Sequence, residues 1–192
     1  MWYNKKLLGG DKMNIIFLDF DGVINNWNHF YGVDINNVKI LKKIISKTEA
    51  KIVAITSNKY SLQRNNPIDY YSSNYYNNYV KYLNELGIEI YDITPFVNGS
   101  KTIEIKKYLE EHDVFDYVII DDELIGEELQ EHQVFLDLYK GLQEEHIIPI
   151  IRILNGLLGF YPSNYNRNET PEELINRINE YYNLKNKIKK LY

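Results

Sequence analysis

The sequence predicts an α/β fold: a doubly wound, mainly parallel sheet with helices on both faces. Three observations predict it. Short apolar runs of the kind buried on both faces recur along the chain, and stretches with helical spacing separate them. Three of those runs also end in acidic or hydroxyl residues, as strand ends at a ligand-binding sheet edge do.

Taken in order, Ile15-Ile16-Phe17-Leu18 reads as a buried strand closed by the turn Asp19-Phe20-Asp21-Gly22. Val38, Ile40, Leu41, Ile44 and Ile45 then recur at helical spacing, and Lys51 to Ile55 gives a second strand ending in Thr56-Ser57-Asn58. Tyr71 to Leu86 reads as a helix with Tyr71, Tyr75, Tyr79, Tyr82, Leu83 and Leu86 on one face, stopped by Gly87. That spacing of amphipathic rings is what a half-buried helix needs. Ile88 to Ile93 makes a third strand, and Gly99-Ser100 precedes a helix carrying Ile103, Ile105, Tyr108 and Leu109. Tyr117 to Ile120 is a fourth strand ending in Asp121-Asp122, with Gln133 to Leu138 a short fifth. The apolar stretch Ile147 to Phe160 reads as a core helix or helix pair, because Pro149, Arg152, Asn155, Gly156 and Gly159 interrupt it well short of a bilayer span of roughly 20 residues. After a polar loop, Pro162 to Thr170, a last helix starts at Pro171 with Thr170 as its N-cap and runs to about Leu184, before a basic tail, Lys185 to Lys190.

Composition narrows the class. With 192 residues, 44% hydrophobic and 26% charged, the chain suits one soluble domain that buries roughly 70% of its unfolded surface without staples. The absence of cysteine excludes disulfides, thiol nucleophiles and cysteine zinc sites. The N-terminus lacks the apolar stretch of a signal peptide, so a cytoplasmic location without membrane contact is expected. The organisation expected is an extension over 1–12, a catalytic domain over 13–155, and a C-terminal loop and helix over 156–192 packed on or extending from it. Tyrosine, with 18 residues, is in excess.

Two carboxylates at i and i+2 on a strand point to the same side, so Asp19 and Asp21 can face one pocket. Burying two like charges together is unfavourable without a cation, and an oxygen-only donor set suits a hard ion such as Mg²⁺. Asp121 and Asp122 supply further oxygens.

In this ordered set the sequence resembles the haloacid dehalogenase (HAD) superfamily of phosphohydrolases, whose core is Rossmannoid. The first motif stands as Phe17-Leu18-Asp19-Phe20-Asp21-Gly22-Val23-Ile24, the second as Val53-Ala54-Ile55-Thr56, the third as Lys101 in Asn98-Gly99-Ser100-Lys101, and the fourth as Val118-Ile119-Ile120-Asp121-Asp122. Thr94-Pro95, the helix after Lys101, Val134 to Asp137 and Gly141 to Glu145 further look like the small HAD domains of Swiss Army Knife RNA-repair proteins. The resemblance implies that Asp19 is the nucleophile that forms an aspartyl-phosphate and that Asp21 protonates the leaving oxygen and then activates water. It implies a Thr56 hydrogen bond to the phosphoryl group, with Ser57 as the near neighbour able to replace it. Lys101 is implied between that group and Asp19, and Mg²⁺ on Asp19, the Asp21 carbonyl and Asp121 or Asp122.

The intervals Gly22 to Ala50 and Asn58 to Ser100 leave no room for a large cap domain, so the site is expected to be open. An open site suits macromolecular phosphoesters, nucleic-acid ends or phosphoproteins, unless a partner subunit of a homo-oligomer closes it. Trp27, His29, Phe30 and Tyr31 either stack on a base or pack the flap after the first motif. The net charge of -5 argues against a phosphate backbone as partner, and Lys59, Arg64 and the tail are the basic candidates. The expected activity is therefore hydrolysis of a phosphomonoester: a nucleotide, a nucleic-acid end, a small metabolite or a phosphoprotein. A catalytically inactive HAD-fold interaction module is the alternative from another class, and a phosphomutase is disfavoured by the missing cap.

Overall fold

The computed structural model describes residues 13–26, 32–62, 70–97 and 100–156. Five parallel strands lie in the order β3-β2-β1-β4-β5: β1 Met13–Leu18, β2 Lys51–Ala54, β3 Ile90–Ile93, β4 Val114–Asp121 and β5 Gln133–Phe135. The first described strand, β1, is the middle of the sheet; the chain then winds outward to β3 and crosses to build β4 and β5 on the other side. That reversal creates the crevice beyond β1 and β4 where open α/β sheets bind ligands.

Alternation along the strands sorts the core into two layers. Ile16, Leu18, Ile52, Ala54, Val118 and Ile120 pack under helices α1 (Ile35–Thr48), α2 (Tyr70–Glu85) and α4 (Ile147–Ile153). Ile15, Phe17, Val53 and Ile119 pack under α3 (Lys101–Glu111) and under Ile125 and Leu129 of the segment between β4 and β5. Phe17 meets Tyr108 of α3 edge to face, with centroids 5.6 Å apart. Helices therefore cover both faces, as the alternating pattern predicts.

Local signals explain the helix bounds. Asp34 caps α1 by accepting from the Asn36 amide at 2.8 Å, and Ser100 caps α3 by accepting from Ile103 N at 3.4 Å. Gly87, at φ +73°, ends α2 in the left-handed conformation that its missing side chain permits. The late apolar stretch is a buried helix over Ile147–Ile153, with Pro149 in its first turn, where proline is tolerated. No helix among the described residues is long and apolar enough to cross a membrane. The β1–β2 crossover carries α1, and the β2–β3 crossover carries a 3-10 turn, Ser57–Leu62, and α2. No cap domain stands over the sheet among the described residues. The expected 1–12 extension, the aromatic flap residues Trp27, His29, Phe30 and Tyr31, Arg64, Asn98-Gly99, the polar loop 162–170, the last helix and the basic tail lie outside them.

Candidate active site

Strand register assembles the first half of the site. Ile16, Phe17 and Leu18 pair with Val118, Ile119 and Ile120, and Asp19 N continues the ladder by donating to Ile120 O at 3.0 Å. Asp19 therefore lies beside Asp121. Both share the parity of Phe17 and Ile119, so both emerge on the face covered by α3. Lys101 is the first residue of α3, and its Nζ lies 3.0 Å from Asp19 Oδ2, 2.9 Å from Asp121 Oδ2 and 3.3 Å from Glu123 Oε2.

The electrostatics follow from burial. The Asp19 and Asp121 side chains are 7% and 0% exposed. Removal from water pushes the Asp19 carboxyl above its ordinary range, and the Lys101 charge pulls it back down. Burial, and then the neighbouring Asp19, push Asp121 up to about 7. Asp122 is pushed up to about 6 for the same two reasons. Burial alone would lower the Lys101 ammonium, but the charges of Asp19 and Asp121 outweigh it and hold the group above its usual value.

Asp122 completes the cluster because of a glycine. Gly22 turns the chain at φ +69°, and a Cβ there would stand 2.4 Å from Asp122 Cγ. The empty position lets the Asp122 carboxylate lie against the turn. Carboxylate oxygens of Asp19, Asp121 and Asp122 all fall within 4.8 Å of one another. Three converging acids, all raised by burial and two of them further by Asp19, with oxygen donors only, fit a hard divalent cation. Both members of the 121–122 pair are within reach of it, although neighbours on a strand face opposite ways.

Asp21 has different neighbours. Its Oδ1 accepts from Tyr79 OH at 2.8 Å and Asn25 Nδ2 at 3.0 Å, and its Oδ2 accepts from Asn58 Nδ2 at 2.8 Å. Asn25 Nδ2 also donates to Tyr79 OH at 2.5 Å, while its Oδ1 accepts from Gly22 N at 2.7 Å. The turn carrying Asp21 is anchored from below by buried Asn37, whose Nδ2 donates to the carbonyls of Val23 and Asn25. Thr56 is buried just past β2, and its Oγ1 accepts from Asn58 N at 3.3 Å, which uses an acceptor lone pair and not the hydroxyl proton. Ser57, next to it, is exposed.

One residue lies elsewhere than its sequence position suggests, and several others at the site carry no sequence signal. Lys59, offered as a basic contact for nucleic acid, is fully buried. Its Nζ donates to Glu104 Oε2 at 2.5 Å and to both oxygens of Thr94. Burial lowers its proton affinity, and the Glu104 hydrogen bond and charge oppose that. Glu104 sits one turn beyond Lys101 and also accepts from Val97 N at 3.2 Å, so this pair ties the start of α3 to the end of β3. Asn25, Asn37, Asn58 and Tyr79 had no sequence signal as site residues. Only the position of Tyr79 on the apolar face of its helix was visible, and there it read as packing.

Comparison with known families matches residues 15–147, more than half of the chain, to the family described as HAD domain in Swiss Army Knife RNA repair proteins. No curated protein and no solved structure matches the chain.

Proposed function

The chain belongs to the family of HAD domains found in Swiss Army Knife RNA repair proteins, and from that premise we propose that it is a Mg²⁺-dependent phosphohydrolase acting on a phosphomonoester through an aspartyl-phosphate. One observation carries the reading: Lys101 Nζ bridges Asp19 Oδ2 and Asp121 Oδ2 inside a three-carboxylate cluster. A buried carboxylate is a usable nucleophile only when ionised, and a fixed ammonium 3.0 Å away opposes the effect of burial and favours that form.

Asp19, Asp121, Asp122 and the Asp21 carbonyl would hold the cation, which when bound supplies positive charge against the phosphoryl oxygens. An Asp19 oxygen forms the bond to phosphorus as the ester oxygen departs, and Asp21 gives that oxygen its proton. In the second half Asp21 takes a proton from water as the water oxygen attacks phosphorus and the Asp19 bond breaks. The Thr56 hydroxyl donates to a phosphoryl oxygen, and Lys101 steadies Asp19 while facing the developing charge. The substrate is a nucleotide or nucleic-acid end, with small metabolites and phosphoproteins as the other classes an uncapped site admits. We further take the protein to be cytoplasmic and able to self-associate, which cell fractionation and sedimentation check.

The test is a Mg²⁺-supplemented phosphatase screen over nucleotides, 3′- and 5′-phosphorylated oligonucleotides, small phosphate esters and phosphopeptides, with Asp19→Asn alongside. Turnover that survives in the variant sinks the nucleophile. Turnover of nothing by the wild-type chain would identify a binding module instead.

A further inference from the structure

We propose that Tyr79, together with Asn58 and Asn25, is a positioning device for Asp21, so that the tyrosine-bearing helix α2 fixes the orientation of the acid–base carboxylate. The proposal rests on the reading of Asp21 given above and adds residues to it that no sequence motif contains.

Three separate segments converge on one side chain. Asn25 comes from the turn after β1, Asn58 from the 3-10 turn after β2, and Tyr79 from the middle of α2. Tyr79 and Asn25 are each 2% exposed, so water competes little for these bonds. The Tyr79 ring is itself held, packing on Phe20 with centroids 5.2 Å apart, directly beside the residue it bonds. Its hydroxyl accepts a hydrogen bond from Asn25 and donates one to Asp21, so both partners set the direction of that O–H.

The arrangement also distinguishes the two oxygens. A carboxylate offers about four lone-pair sites, two per oxygen. Oδ1 accepts from both Tyr79 and Asn25, whereas Oδ2 accepts from Asn58. The remaining site is on Oδ2, which therefore carries the proton passed to the ester oxygen in the first half-reaction and received from water in the second. A freely rotating carboxylate would present that lone pair in the required direction only part of the time, and misorientation is a recognised source of large rate losses.

The experiment compares the full chain with Tyr79→Phe and Asn58→Ala in Mg²⁺, on p-nitrophenyl phosphate, whose leaving group needs no proton, and glycerol phosphate, whose leaving group does. Tyr79→Phe keeps the ring against Phe20 and removes one O–H. The expected result is a roughly 10–100-fold loss of kcat on glycerol phosphate with KM within about twofold, since positioned acid–base catalysis contributes about 10²–10⁴. On p-nitrophenyl phosphate the variant should show a burst of nitrophenolate and accumulate phosphorylated chain by intact mass, because hydrolysis of the aspartyl-phosphate becomes the slow step. A residue that only packs would lower both substrates together without a burst. Asn58→Ala, acting on the other oxygen, should reproduce the burst and the accumulated phosphorylated chain if Tyr79→Phe folds poorly. Wild-type kinetics in both variants, or a proportional loss without phosphoenzyme, overturns the proposal when Asp21→Asn is inactive. Turnover that survives Asp21→Asn, or a wild-type chain that hydrolyses neither ester, overturns instead the reading of Asp21 on which it rests.

Discussion

Replacing Lys101 with methionine keeps the stem and volume of the side chain and removes the one charge that bridges Asp19 and Asp121. At an effective dielectric of about 20, unit charges about 3 Å apart attract by roughly 5 kcal/mol. That gross attraction is partly offset by the desolvation of the ammonium, which is 12% exposed in the fold. Deleting one member of a buried pair generally costs about 3–5 kcal/mol, because the other member is left charged and unpaired. For a domain of this size about 1 kcal/mol shifts Tm by roughly 2–4 °C, so the metal-free variant should melt roughly 6–20 °C lower at high pH.

The pH dependence separates this reasoning from a generic packing defect. Asp121 already sits at about 7 with Lys101 present, and Asp19 is raised as well. Without the lysine both move higher, so near neutrality the folded variant binds more protons than the folded wild type. The stability deficit must then grow as pH rises and shrink as pH falls and the carboxylates are neutralised. Circular-dichroism melts in a chelator at about pH 5.5 and about pH 8 measure it. An equal deficit at both values, a larger one in acid, or no deficit at pH 8 would refute the assignment of Lys101 as the compensating charge.

Mg²⁺ should raise Tm more at about pH 8 than at about pH 5.5, since protons on Asp122 (about 6) and Asp121 (about 7) compete with the ion. A saturating ion at 100 Kd adds about 2.7 kcal/mol, which thermal melts resolve, and a larger shift in acid would contradict the carboxylate site. Gly22→Ala places a Cβ 2.4 Å from Asp122 Cγ at φ +69°, so it should cost roughly 1–2 kcal/mol in backbone strain and weaken Mg²⁺ binding by calorimetry. Unchanged affinity would remove Asp122 from the site. Lys59→Met alone strands the buried Glu104 carboxylate and should cost about 3–5 kcal/mol in urea unfolding, whereas adding Glu104→Leu should recover most of it. No recovery would mean that Lys59 acts through another partner.

The sheet was legible because each strand buried on both faces writes a continuous apolar run, and β1, β2 and β4 do so plainly. Asp19, Lys101 and Asp121 were legible for a related reason. They sit where a strand ends or a helix starts, and strand parity alone turns Asp19 and Asp121 toward α3. Distant pairings were not legible. Asn25 and Asn58 are neutral, so nothing in the composition or charge pattern marks them, and Tyr79 lies 58 residues from the carboxylate it bonds. Lys59 misled because a lysine after a turn ordinarily faces water, and only the fold brings Glu104, 45 residues later, to neutralise it. The tyrosine helix shows both sides of the limit. Tyr76 and Tyr79 pack on Phe20 as the spacing implies, yet the hydroxyl of Tyr79 does something that hydrophobic periodicity cannot encode.

The two aspartates of the first motif were expected to face one pocket, and the fold assigns them to different supports at its edge. Asp19 is still in the ladder, donating to Ile120 O, so its surroundings come from β4 and α3: Asp121 and Lys101. Asp21 already lies in the turn with Gly22, and its partners are Asn25 of that turn and Asn58 and Tyr79 of the β2–β3 crossover. Asp19 therefore sits among charges, where its ionisation responds to Lys101 and to the other two acids of the cluster. Asp21 sits among neutral donors, which hold its orientation without adding another full charge. Two carboxylates two residues apart thus acquire separate environments through their neighbours, and the single residue between them, Phe20, packs on Tyr79 and joins the two halves.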